Sequence, residues 1–168
     1  MSEQRRLNRL KDAAGLAGWI ALCFAAAAVG GAATAGAPGF FGELSRPSWA
    51  PPAWIFGPVW TVLYLMMGLS AWTAWRERGF REAPAAFGLF LLQLGANALW
   101  SWIFFFWRQG ALAFGEILLL WILLAATMQQ FRRIRPAAAL LLVPYLAWTT
   151  FAAVLAFSIW RLNPAVLG

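Results

Sequence analysis

The sequence predicts an all-α protein, an integral membrane bundle of five transmembrane helices, and three observations carry that prediction. The 168 residues are 62% hydrophobic and only 11% charged, with a mean hydropathy of +0.68, beyond the range of soluble domains. Charge-free runs cover residues 13–42, 47–75, 83–107 and 136–160, and a fifth, 109–131, is interrupted only by Glu116. About 20 apolar residues cross a bilayer core, so each run is long enough. The basic residues also alternate sides. Ten of the 13 precede span one or fall between spans two and three and between four and five. Arg46, Arg108 and Arg161 are left for the opposite face. By the positive-inside rule the N-terminus is cytoplasmic and, after five spans, the C-terminus lies outside. That distribution turns the net charge of +7 toward membrane orientation and away from nucleic acid as a partner. Helical spans with basic inner loops favour a bacterial inner membrane.

Residues 1–13 form a basic N-terminal segment, followed by span one at about 14–36. A basic start, an apolar run and the small residues Ala33, Thr34 and Ala35 resemble a secretory signal peptide. The 30-residue charge-free run exceeds a signal core of about 7–15 residues, so the span is read as retained. Small residues recur four apart in it, as Ala26, Gly30, Thr34 and as Ala27, Gly31, Ala35. Such stripes let helix backbones approach closely, either inside the bundle or along a homodimer seam.

The loop 37–51 is the one long connection, rich in Gly, Pro and aromatics, with only Glu43 and Arg46 charged. So apolar a loop is expected to fold over the bundle mouth as a lid. Span two, at about 52–75, opens with Pro51 and Pro52, whose missing N–H groups suit a first helical turn. Trp49 and Trp54 suit a membrane–water boundary. Trp60 lies deeper, one turn before Tyr64, where an indole needs a structural or ligand-related reason.

Span three, at about 84–106, carries Gln93, Asn97 and Ser101 on one face beside Trp100. Amides in hydrocarbon must meet protein or a wet cavity. For Gln93 interhelical hydrogen bonding is the preferred reading; for Asn97 and the aromatics, packing and a ligand pocket stay equally open. Span four, at about 110–131, contributes Trp121 and Glu116. An intramembrane carboxylate is a functional candidate by default. Glu116 lies roughly 9 Å into its helix at about 1.5 Å per residue, so reaching the interface or pairing with Arg108 is favoured. Span five, at about 137–160, places Tyr145, Trp148 and Thr149 after Pro144. Gly79, Pro84, Gly110 and Pro136 mark the connections, whose shortness predicts antiparallel neighbours.

Catalytic chemistry has little to use. There is no histidine, and the lone Cys23 can form no intrachain disulfide or thiolate cluster. No paired carboxylates, phosphate loop or nucleophile elbow occurs. The sequence therefore implies no catalytic residues, no metal and no cofactor.

At RPSWAPPAWIFGPVWTVLY (46–64), LQLGANALWSWIFF (92–105), LLWILLAATM (119–128) and VPYLAWTTFA (143–152) the chain resembles the TspO/MBR family. That family comprises the bacterial tryptophan-rich sensory proteins and the mitochondrial translocator protein, or peripheral benzodiazepine receptor. The likeness runs from about residue 14 onward and makes 14–168 a TspO/MBR-like membrane domain. It implies a five-helix bundle, commonly dimeric, with a pocket below the loop after helix one. It also implies binding of porphyrins and, in mitochondrial members, of cholesterol. Trp60 and Trp148 match the family's pocket tryptophans, Trp49 and Pro52 its WxPP loop, and Asn97 a polar pocket residue. Tyr64, Trp100, Trp121 and Tyr145 complete the expected ligand-binding set.

The chain departs from the family at Phe41, where some members have tyrosine. Leu155 is followed by Ala156 where the family often has asparagine, and Phe157, ahead of Arg161, stands near where cholesterol binders carry tyrosine, so no high-affinity cholesterol site is expected there. The expected function is a membrane sensor or binding protein for porphyrins that regulates tetrapyrrole levels. The alternatives are a transporter of such compounds and a light-dependent porphyrin-degrading enzyme.

Overall fold

A bilayer interior offers no water to backbone N–H and C=O groups, so each apolar run must satisfy them within a helix. The computed structural model, which describes residues 2–168, has five helical stretches long and apolar enough to span a membrane. They are Glu3–Ala32, Ala53–Glu77, Pro84–Phe106, Gly110–Ile134 and Pro136–Leu162. Among the described residues there is no strand. In chain order the helices are α1 (Ser2–Ala32), α2 (Ala37–Glu43), α3 (Phe56–Glu77), α4 (Pro84–Ser101), α5 (Gly110–Ile134), α6 (Pro136–Leu141), α7 (Val143–Leu162) and α8 (Pro164–Leu167). Helix α1 packs on α3 and α4, α4 on α5, α5 on α6 and α7, and α3 on α6.

Local chemistry moves several boundaries from their expected places. Helix α1 takes up the basic segment from Ser2 and stops at Ala32, four residues early, before a turn. The lid segment 37–51 is not all loop, because α2 occupies its first half. Pro52 is extended (φ −59°, ψ 144°) and stands before a 3₁₀ turn, Ala53–Ile55, so α3 starts at Phe56 and not at 52. The last span is broken at Leu142 between α6 and α7. Pro144 has no N–H for the Leu140 carbonyl and its ring crowds that position. Helix α4 ends in a π turn, Trp102–Phe106, where the Trp107 N–H reaches the Trp102 carbonyl at 2.8 Å. A π turn holds more residues per turn than an α-helix, so it re-aims the side chains that follow. Arg108 then reverses the chain with φ 54°.

The arginine-rich end is tied by polar contacts. Arg76 pairs with Asp12 at 3.3 Å, Arg135 pairs with Glu77, and the Trp72 indole donates to the Asp12 carbonyl at 3.0 Å. Close helix approach adds more. A Cβ on Gly68 of α3 would sit 3.0 Å from the Ile20 Cα of α1. Gly68→Val is therefore expected to destabilise the protein by about 1–3 kcal/mol through overpacking, read as a lowered Tm in detergent. On the other side of α1, a Cβ at Gly30 would meet the Ala98 Cα at 3.4 Å. One small-residue stripe thus packs within the bundle, against α4.

The core has two parts. Near the arginine-rich end Trp19, Phe87, Phe90 and Phe131 pack ring against ring with Met67, Leu124 and Leu142. Near the lid Phe40, Leu44, Phe104, Leu155, Ile159 and Leu167 form a second cluster. A cavity lies between the helices, lined by residues packed on both clusters.

Candidate functional site

The cavity holds about 720 Å³, within the roughly 300–1,000 Å³ of typical small-molecule sites. Helical spacing builds its walls. Phe56, Trp60 and Tyr64 form an i, i+4, i+8 stripe on α3, and Asn97 and Ser101 a second on α4. Trp100 and Phe104 stack at 5.0 Å and 12° where α4 enters its π turn. Trp148, Thr149 and Leu155 come from α7, Ile117 and Leu120 from α5, and small residues with Phe24 from α1. Phe41 of α2 closes the lid side.

Aromatic rings run around this space in contact. Trp60 meets Tyr64 at 5.6 Å and Tyr145 edge-on at 6.1 Å. Phe56 joins Trp148 at 5.8 Å and Phe41 at 6.0 Å. The floor is polar and three helices share it. The Tyr64 hydroxyl donates to Asn97 Oδ1, and Asn97 Nδ2 donates to the Tyr145 hydroxyl at 2.8 Å. The Trp100 indole is held by the Ala113 carbonyl at 3.1 Å. The Trp148 Nε1 is buried with no protein acceptor among the described residues.

Of the nine residues expected at a ligand site, Trp60, Tyr64, Asn97, Trp100 and Trp148 line the cavity. Tyr145 is fully buried just beneath, through its bond to Asn97. Trp49 is one ring removed: it meets Phe151 at 5.9 Å, and Phe151 meets Trp148 at 5.4 Å. Pro52 borders a separate hollow in the lid loop with Arg46, Pro47 and Ala50. Trp121 lies on the outside of the bundle, exposed, donating to Thr150 Oγ1 at 2.9 Å. One residue is about 100° of helix, so the neighbour of cavity-lining Leu120 points away from it.

Two polar expectations are corrected. Glu116 makes no pair with Arg108: it is buried, and both carboxylate oxygens lack a partner among the described residues. It shares the buried face of α5 with Ala113 and Leu120, whereas the Arg108 guanidinium sits over the Phe40 ring at 4.6 Å. Gln93 is fully buried, yet both of its amide atoms lack the interhelical partner expected for them. Sequence reasoning also missed Phe24, Phe56 and Phe104. Phe56 was open to detection, standing one turn before Trp60; the other two look like any core phenylalanine.

Comparison with known proteins agrees with this architecture. The TspO/MBR family model matches residues 19–161. The chain is 41% identical over 150 residues to the tryptophan-rich protein TspO of Chlorobaculum tepidum, covering 86% of this chain and 93% of that protein. It is 42% identical over 126 residues to the human translocator protein, covering 74% of this chain and 75% of that one. Against the tryptophan-rich sensory protein of Cereibacter sphaeroides it is 38% identical over 141 residues, covering 82% and 87%. Five membrane-length helices, a tryptophan-lined cavity beneath a lid, and a match across most of the chain together make this a multi-pass membrane protein of the TspO/MBR family.

Proposed function

We propose that this protein binds porphyrins and related flat hydrophobic molecules in the cavity, as a sensor or regulator of tetrapyrrole levels. The supporting observation is the meeting of Trp60 and Trp148, from α3 and α7, around one apolar cavity with a polar floor. A planar macrocycle presents two apolar faces that stack on indole and phenyl rings. Its carboxylates need a cation or water. Arg46 stands at the lid, its guanidinium 5.1 Å from the ring of cavity-lining Phe41. Asn97, which lines the polar floor, supplies a hydrogen bond that orients the guest. With no histidine in the chain, iron gains no imidazole ligand, so haem binds no more tightly than metal-free protoporphyrin.

The basic ends of α1, α3 and α5 support an orientation with the N-terminus cytoplasmic, in a bacterial inner membrane. A homodimer, as the family resemblance implies, leaves each protomer its own cavity, whose lining includes Ala27 and Gly31 of the second small-residue stripe.

The test is a titration of purified protein in lipid nanodiscs with metal-free protoporphyrin, read by tryptophan emission. Saturable quenching at about one ligand per chain is expected, as for a single preformed pocket. Undiminished affinity and quenching in the Trp60→Phe, Trp148→Phe double variant would sink the assignment. Gradient-driven porphyrin flux in liposomes would instead mark a carrier.

A further inference from the structure

The lid is fastened. The side chain of Asn163, at the end of α7, accepts from the Ser45 backbone N–H at 2.8 Å and donates to the Ser45 carbonyl at 2.8 Å. A further bond to the Ile159 carbonyl at 2.7 Å holds the amide in place. Phe40 of α2 is buried against Phe104 and Phe105 beneath Arg108. Lifting the lid breaks the paired bonds to Ser45 and exposes Phe40 together.

The side wall between α1 and α3 is different. Toward the arginine-rich end these helices touch: a Cβ on Gly68 would press on the Ile20 backbone and one on Gly15 would collide with Trp75. Toward the lid they stand apart. Gly31 of α1 and Gly57 of α3 both line the cavity, both are exposed, and a Cβ on either would meet nothing within 4 Å. Their cavity-lining neighbours Ala28 and Thr61 are also small and exposed. The hydroxyls beside this gap are already satisfied: Thr61 donates to the Gly57 carbonyl at 2.9 Å and Thr34 to the Gly31 carbonyl at 2.8 Å. The opening thus presents methyl and backbone surface without free polar groups, a surface that acyl chains tolerate.

We propose that ligand enters and leaves the cavity sideways, from the acyl-chain layer on the lid side, through the gap between α1 and α3 while the lid stays latched. This rests on the cavity being the ligand site. The guest it admits is a flat molecule already dissolved in the bilayer.

The test is stopped-flow tryptophan quenching in nanodiscs, with metal-free protoporphyrin delivered from vesicles. Gly31→Phe and Gly57→Leu, which fill the gap, are expected to slow association about tenfold and dissociation with it, the mark of a gate. Asn163→Ala, which unfastens the lid, is expected to leave both rates within about twofold. Gly31→Cys bearing a bulky disulfide-linked label should show the same block, relieved by reductant; the native Cys23 is fully buried. Unchanged rates in the filled and labelled gap variants, or rates raised about tenfold by Asn163→Ala, would overturn the route while leaving the ligand reading intact. Absence of saturable quenching in the unaltered protein would overturn the ligand reading and the route with it.

Discussion

Truncating Trp148 to alanine is expected to weaken metal-free protoporphyrin binding about 30-fold, the equivalent of about 2 kcal/mol. The indole forms one wall of the cavity, is wedged between Phe56 and Phe151, and carries a buried N–H with no protein acceptor. Removing it deletes a large stacking surface and leaves a void beside Phe56 and Phe151. Trp148→Phe keeps a smaller ring, and an aromatic contact is worth only about 0.5–1.5 kcal/mol beyond its area. Its loss is therefore expected to be about threefold to tenfold. Trp121→Ala is the control. It removes the same side chain from the outside of the bundle and should leave the dissociation constant unchanged. Isothermal or fluorescence titration in nanodiscs reads all three. Equal losses in Trp121→Ala and Trp148→Ala would mean that the tryptophans act through general stability and not through the cavity.

Asn97→Leu is expected to be the most damaging single change at the cavity floor, lowering stability by about 2 kcal/mol. Asn97 accepts from Tyr64 and donates to Tyr145, so its amide joins α3, α4 and α7 in the low-dielectric centre of the bundle. An interhelical hydrogen bond in a membrane averages only about 0.6 kcal/mol, so Tyr64→Phe, which removes one donor, should cost roughly that. Leucine at 97 does more than remove two bonds, because it leaves the Tyr64 and Tyr145 hydroxyls buried beside an apolar branch. Unsatisfied buried groups cost about 1–3 kcal/mol each, less whatever water in the cavity returns. Thermal unfolding followed by circular dichroism should rank the variants unaltered, Tyr64→Phe, Asn97→Leu in falling Tm. An Asn97→Leu protein as stable as Tyr64→Phe would show that the network contributes orientation and little else.

Much of this protein was legible as a sequence because the relevant physics is local. Charge-free runs of bilayer length must be helices, since no other element satisfies its backbone alone in hydrocarbon. The spacing of Trp60 with Tyr64, and of Asn97 with Ser101, already placed those pairs on shared faces. Other features depended on contacts between distant segments. Glu116 looked able to reach Arg108, but the cation is drawn over Phe40 of a lid helix that follows span one. Gln93 sat on the right face for an interhelical bond, and its neighbours nevertheless offer it none. Asn163, unremarkable in the sequence, grips Ser45 across 118 positions.

By itself the sequence determined the number of spans and the family to which the chain belongs. These follow from composition, length and residue order, which each segment carries alone. Only the tertiary structure decided which of the 12 tryptophans face the cavity, namely Trp60, Trp100 and Trp148. That choice is made by helix rotation and, for Trp148, by the break at Leu142. A single residue turns a side chain through about 100°, and only packing against the other helices sets where that rotation begins.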